Sequence, residues 1–342
     1  MADGRACLAL AQSTDLVAWT DLGPTYIEEE RSYNRLESAY LVEQAGRYYL
    51  FYSAKGGPKS KGFAPTAFAH FDIVYLIGDT PTGPWQKPAN HELLTATTCA
   101  SEHPTFDGVT YMLYIIQEEI EGIWGASVLS DPKQVIWQAD GTVQIHEHLP
   151  DTVKRHALFT GTQAEFGDWV SPGGQWTVAS GGLVTAPALA VDAYYMNTLW
   201  GSDLVWEGWL QLEEDALASL IVRGNPSAMA GYRISLELNR GTVALYQLMP
   251  GQAERCLQSR PVALTPGDWH RLKVVVQGAF FDIYVDDVLQ IVRHHRTYPD
   301  GCFGLHAQGN VRFRDLRAYR LVGPEGMSPD WTRRCQPRHL FP

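Results

Sequence analysis

One pattern constrains this chain more than any other: it repeats itself. "ESAYLVEQAGRYYLFYSA" followed by "DIVYLIGDTPTGPWQKP" occupies residues 37 to 88, and "EHPTFDGVTYMLYIIQ" followed by "GIWGASVLSDPKQVIWQAD" occupies 102 to 140. Each unit reads as a Glu-led first strand, a Gly turn, a Tyr-rich second strand, a third strand ending in a turn, and a short fourth strand bearing a Trp. The strands are punctuated by Ala45-Gly46, Thr82-Gly83-Pro84, Asp107-Gly108 and Asp131-Pro132, which are turn-forming pairs. The opening "ACLALAQSTDLVAWTDLGP" matches only the second half of a unit, and Trp19, Trp85 and Trp137 take equivalent places. Four short strands at such a period predict β-propeller blades. A meandering sandwich is the alternative.

About two and a half units are present. A blade buries its faces against neighbouring blades in a ring, so the expectation is that the natural N-terminus lies further upstream. The opening residues carry no basic region followed by an apolar stretch, but with the start in question this leaves the compartment open. From Trp176 the character changes to a succession of alternating strands, as in "GYRISLELN", where Tyr232, Ile234, Leu236 and Leu238 oppose Arg233, Ser235, Glu237 and Asn239. Period-two patterning predicts one buried face per strand, and "VDDV" at 285–288 reads as a tight hairpin on two Asp residues. The predicted class is therefore all-β. Residues 1–145 form a partial β-propeller, 146–175 a connector, 176–322 a β-sandwich and 323–342 an irregular tail.

Composition narrows the function. The 342 residues carry a formal net charge of −11, which argues against a nucleic-acid or anionic-membrane partner and is compatible with a neutral sugar. Eleven Trp and sixteen Tyr suit sheet cores and the faces of sugar rings alike. The five cysteines lack metal-ligand spacing and cannot all pair, so neither a metal nor another cofactor is expected.

"ALAQSTDLVAWTDLGP" and "ESAYLVEQAGRYYLFYSA" resemble the blade motifs of the five-bladed propeller glycosidases, glycoside hydrolase families 32 and 43. The strands "GYRISLEL", "DWHRLKVVVQG" and "VRFRDLRAYRL" are similar to the concanavalin-A-like sandwich that follows the propeller in family 32. The resemblance covers roughly residues 8 to 321. It implies hydrolysis of O-glycosidic bonds by paired carboxylates, with β-fructosides favoured and arabinosides or xylosides as alternatives. It also implies that Glu37 is the general acid, helped by aromatic neighbours such as Tyr40. Glycoside cleavage needs a protonated carboxyl at the leaving oxygen and an ionised one across the bond. The departures are specific. Glu37-Ser38-Ala39 lacks the family's Pro, and the Asp residues expected on the first two blades fall outside the chain, so the chain as it stands is expected to be inactive.

Further polar residues are candidates with ordinary alternatives. Glu102 and His103 open the next unit at the place expected to match Glu37, as substrate contacts or as a plain strand-start charge and a satisfied structural His. Gln117, Glu118 and Glu119 are expected near the funnel rim, as a subsite contact (Gln117 above all) or a solvated loop. The basic stretch "AKGGPKSKGF" at 54–63 reads as a flexible loop. His146 and His148 straddle Glu147 at a spacing that rarely makes a metal site. Trp206, Trp209 and Trp269 are sandwich core or a sugar platform. Three functions stay open: a glycosidase, a non-catalytic carbohydrate-binding protein (oligo- or polysaccharide), and an interaction scaffold.

Overall fold

A computed structural model describes residues 4–29, 33–56, 71–95, 98–120, 123–148, 154–171, 175–186 and 189–322. The chain divides into two units, Met1–His148 with Val292–His294, and Leu149–Ile291 with His295–Pro342. Among the described residues every regular element is a strand except two short 3₁₀ turns.

In the first unit, β1 (Cys7–Gln12) and β2 (Thr20–Ile27) form an antiparallel pair. The first full blade follows as a meander of β3 (Arg35–Gln44), β4 (Arg47–Lys55), β5 (Phe71–Gly78), β6 (Trp85–Gln86) and β7 (Glu92–Leu94), where β6 and β7 both pair with β5 as a broken fourth strand. The second blade contains β8 (Thr98–Glu102) and β9 (Thr105–Phe106) as a broken first strand on β10 (Val109–Ile120). Then β11 (Ile123–Leu129) and β12 (Lys133–Trp137) run along the other edge of β10, and β13 (Val143–His146) pairs with β12. The hairpins β3–β4 and β9–β10 turn through Ala45-Gly46 and Asp107-Gly108, all four at positive φ between 49° and 76°. That is the conformation a two-residue hairpin demands.

The aromatic run on β4 is explained by burial on both faces. Leu50, Tyr52 and Ala54 pack with Leu8, Val74 and Leu76, while Phe51 stacks on His103 at 3.7 Å and Tyr49 meets Trp137 at 4.6 Å on the other side. A half-buried strand would alternate; a strand between two neighbouring blades stays apolar throughout. Each such fully buried side chain stabilises by roughly 1.5–3 kcal/mol.

Two equivalences read from the sequence are corrected here. Trp85 does open the broken fourth strand and Trp19 directly precedes β2, but Trp137 closes the third strand, opposite Val143. The register also shifts the alignment of the blade entries. Glu37 pairs with Ser53 and Tyr40 with Phe51, while Cys99 pairs with Ile115 and Glu102 with Leu113. Ser38 and Ala100 take the same positive φ (53° and 51°) at the same bulge. So the residue at the place of Glu37 is Cys99, and Glu102 answers to Tyr40. The shared Glu misled: both units carry the same bulge at the same distance from the hairpin turn, which puts Cys99 and not Glu102 at the place of Glu37.

In the second unit, β14 (Lys154–Phe159) lies within the stretch expected to be a connector. The elements β15 (Thr177–Val178), β16 (Val184–Thr185), β17 (Leu189–Met196), β18 (Leu204–Leu212), β19 (Leu217–Asn225) and β20 (Ala230–Glu237) follow. They continue with β21 (Thr242–Leu248), β22 (Arg255–Pro261), β23 (Trp269–Gln277), β24 (Phe280–Val285), β25 (Val288–His294), β26 (Cys302–Gly309) and β27 (Val311–Val322). One sheet has the order β25-β24-β23-β18-β27-β16-β15, with β14 also on β27; the other has β17-β26-β19-β20-β21-β22. The two pack face to face over one core that includes Leu220, Ile234, Leu245 and Leu305 from the second sheet and Leu210, Val274, Ile283 and Phe313 from the first. Trp206, fully buried, donates its Nε1–H to the Gly304 carbonyl at 2.9 Å and so ties the sheets together. The hairpin expected at 285–288 is present, with Asp286 and Asp287 both at positive φ. The expected tail, 323–342, and the loop stretch 57–63 lie outside the described residues.

Candidate functional site

Glu37 sits near the start of β3, paired with Ser53 and directly before the bulge. The side chain is 37% exposed, and its Oε2 lies 3.1 Å from Arg35 Nε. Next to it on the sheet, Ser53 is fully buried and its hydroxyl accepts the Ala100 N–H at 2.7 Å, joining the two blade entries. Cys99 is close enough to feel the carboxylate. Burial, and then the charge of Glu37, push its thiol up to about 11, so this sulfur stays a thiol. The blade entry thus has a carboxylate beside a neutral thiol and a buried hydroxyl.

The other residues singled out from sequence separate. Tyr40 is half-buried and packs on His103 at 5.6 Å. His103 is 3% exposed, with Nε2 3.2 Å from Ser101 Oγ and Nδ1 without a partner. Desolvation depresses its pKa to about 3, so it is a neutral ring in the stack. Glu102 is exposed. Gln117 lies on β10, paired along the backbone with Ser127, and its side chain, like those of Glu118 and Glu119, lies outside the described residues. His146 makes a 3.1 Å contact with Gln144. Among the described residues no group of three His, Cys, Asp or Glu side chains is arranged to hold a metal. Trp206 is core, while Trp209 and Trp269 are half-buried on the outer face of their sheet, with the Arg314 guanidinium 4.3 Å over Trp269 and 5.8 Å over Trp209.

The sequence reading missed a second place. A cavity of about 220 Å³ opens on the outer face of the six-stranded sheet. Period two explains it: Ser219 and Ser235 alternate with core residues, face outward, and meet side by side at 2.9 Å. Both serines are fully buried, and longer side chains line the cavity. On one side Arg233, 5% exposed, is held by Glu254 and lies 4.6 Å over the Tyr246 ring. Nearby, the buried Glu237 carboxylate accepts from the Tyr246 hydroxyl at 2.6 Å and from Arg240 at 3.0 Å. Opposite stands Asp192, whose carboxyl is held below its usual range by the hydrogen bond from His306 at 2.9 Å. Four carboxylates line the cavity, Asp192, Asp215, Glu237 and Glu254, against two guanidiniums, Arg233 and Arg240. The signal was present in "GYRISLELN", whose polar half was read as a solvent face.

No family model matches the chain. A levanase from Bacillus subtilis (strain 168) is 22% identical over 174 residues, 50% of this chain and 25% of the levanase. A sucrose-6-phosphate hydrolase from Lactobacillus gasseri superposes over 93% of this chain and 61% of its own, with a TM-score of 0.60 and 14% identity. A fructofuranosidase from Schwanniomyces occidentalis superposes over 93% and 66%, with a TM-score of 0.59 and 9% identity. The chain has the fold of these fructosidases. It is all-β, a partial five-bladed propeller followed by a concanavalin-A-like sandwich, and it spans about three fifths of the length of the L. gasseri chain.

Proposed function

We propose that this chain is the later part of a propeller glycoside hydrolase acting on β-fructosides, with Glu37 as the general acid. The observation that carries the proposal is the position of Glu37: a partly exposed carboxylate beside a bulge on a blade's first strand, in a chain superposing over 93% of its length on a sucrose-6-phosphate hydrolase and a fructofuranosidase. A carboxyl at that place protonates the leaving oxygen, while a second, ionised carboxylate on the far side of the bond acts as nucleophile in a retaining reaction. The second carboxylate belongs, with the repeat, on blades ahead of residue 7, and residues 1–342 alone bind without cleaving. Translation of the DNA upstream of the Met1 codon tests this: one and a half further blades with an Asp on each inner strand are expected. A stop codon and start signals directly before Met1 would sink the hydrolytic reading. In the extended protein, Glu37→Gln lowers turnover of sucrose by about 10²–10⁴-fold, and turnover of an aryl fructoside with a good leaving group much less.

A second reading, carbohydrate binding without catalysis, is favoured by the cavity on the sandwich. Its wall is rich in acceptors and carries two fixed guanidiniums, a pattern that hydrogen-bonds a hydroxyl-rich neutral ligand, while the excess of carboxylates repels anionic ones. Titration of the 342-residue chain with fructose, sucrose and a short β-fructan is expected to show binding. Arg233→Met lowers the affinity at least about tenfold, and equal affinity in that variant removes the cavity from consideration.

A further inference from the structure

Within the cavity, one residue links the two walls without reaching the opening. His306 is completely buried on β26, between β17 and β19. Its Nδ1 lies 3.3 Å from Arg233 Nη1 and 3.1 Å from Ser219 Oγ. Its Nε2 lies 2.9 Å from Asp192 Oδ1. Its ring packs on Tyr194 at 4.6 Å.

Those contacts fix the tautomer. A guanidinium has donors only, so Nδ1 must accept from Arg233. The one ring proton then sits on Nε2 and points at the carboxylate of Asp192. Ser219 Oγ lies 3.1 Å from the same Nδ1 and 2.9 Å from Ser235 Oγ, so it shares the one lone pair of the ring nitrogen with Arg233. Arg233 is pinned a second time by Glu254. A single imidazole therefore sets the guanidinium on one wall and a carboxylate on the other, each by a directed bond.

We propose that His306 is the positioning residue of the sandwich cavity: as the neutral Nε2–H tautomer it holds Asp192 and Arg233 at the separation and orientation that a hydroxyl-rich ligand meets. This rests on the second reading of the cavity given above. Three features support it. The ring is buried, so it touches no ligand itself. The residues it orients are those that line the opening. The serines beside the ring, Ser219 and Ser235, are small and fully buried. Burial, reinforced by the neighbouring Arg233 charge and opposed by Asp192, holds the His306 pKa below the usual range, in keeping with a neutral ring. The charged or titratable groups facing it are Asp192 and Tyr194 from β17 and Arg233 from β20, with Glu254 beyond Arg233. A second proton would place an N–H on Nδ1 against the Arg233 guanidinium and push the wall apart.

The test uses the full chain and two readouts. Nitrogen-15 NMR of the histidines, without ligand, is expected to show His306 as the Nε2–H tautomer at pH 7 and still neutral at pH 6. An Nδ1–H tautomer, or an imidazolium at pH 7, overturns the proposal whatever the cavity binds. Titration with fructose and a short β-fructan gives the second readout. His306→Phe keeps the ring packing on Tyr194 and removes both directed bonds, so affinity falls at least about tenfold. His306→Gln, whose amide supplies one donor and one acceptor, restores most of it. Equal affinity in wild type and His306→Phe also overturns the proposal. If neither sugar binds the wild type, the cavity reading fails and the tautomer measurement alone decides the positioning role. If His306→Phe does not fold, the Gln variant and the tautomer carry the decision.

Discussion

The blade entry and the sandwich cavity place charge in opposite ways. At the blade entry Glu37 pairs with Arg35, two residues away on the same strand, and both side chains are at least partly open to solvent. On the sandwich, Arg233, Glu237 and His306 are buried and each has several directed partners on other strands. A carboxylate with one local partner is legible in a short motif. A network drawn from β17, β20, β21 and β26 joins residues more than a hundred positions apart, and no local window shows it. The exposed pair is worth little in stability; the buried network is the one whose members depend on each other.

The same contrast governs packing and yields the largest expected effect. Trp206 lies at the centre of a core covered by two complete sheets and carries a hydrogen bond to Gly304. Trp85 is only partly buried against the blade stack, with its Nε1–H on Thr25 at 2.9 Å. Trp206→Ala is expected to cost about 3–5 kcal/mol of unfolding free energy, measured by denaturant titration. Trp85→Ala should cost about half that or less, because its surface is already partly in water. Equal losses would mean that the blades are packed as tightly as the sandwich, and the comparison would fail.

What sequence could and could not supply follows from these particulars. The turns at Ala45-Gly46, Asp107-Gly108 and Asp286-Asp287 were legible because positive φ restricts which residues fit. The aromatic run at 48–52 was legible as core, and the alternation at 232–239 as a strand. The match of Glu102 to Glu37 failed because it rested on a shared glutamate: counted back from the turns at Gly46 and Gly108, Glu37 answers to Cys99 and Tyr40 to Glu102. The cavity was hidden for a different reason. Ser219 and Ser235 look like any outward-facing serines until the sheet sets them side by side. Whether an outward face is bare or walled depends on residues such as Asp192 and Glu254, which come from distant strands and loops.

Acid stability offers a finer test of the contrast. His103 in the blade stack is neutral in the folded protein down to about pH 3 because burial disfavours its charge. In the unfolded chain it titrates near 6.5. Its contribution to stability is therefore fully present above about pH 6.5, and is lost progressively as the pH falls towards 3, by roughly 1.4 kcal/mol per unit. His103→Phe keeps the stacking on Phe51 and removes the proton uptake, so its unfolding free energy should fall less steeply between pH 6.5 and 4 than that of wild type. Parallel curves for the two proteins would show that His103 is not the buried neutral ring of the blade.

The smallest effect concerns Cys99, and it bears directly on where Glu37 points. Burial is the larger reason for the raised thiol pKa, and the Glu37 charge the smaller. Removing that charge in Glu37→Gln should leave the burial contribution intact and lower the Cys99 pKa modestly. A thiol reacts as its thiolate, so alkylation of Cys99 by iodoacetamide at pH 8 should speed up a few-fold in the variant. Cys7, Cys256 and Cys302 are also free thiols among the described residues, and peptide-level mass spectrometry is needed to follow Cys99 alone. Their rates serve as internal controls, since no Glu37 charge acts on Cys256 or Cys302. An unchanged Cys99 rate would place the carboxylate away from the neighbouring blade entry and take from Glu37 the geometry on which its proposed role as acid depends.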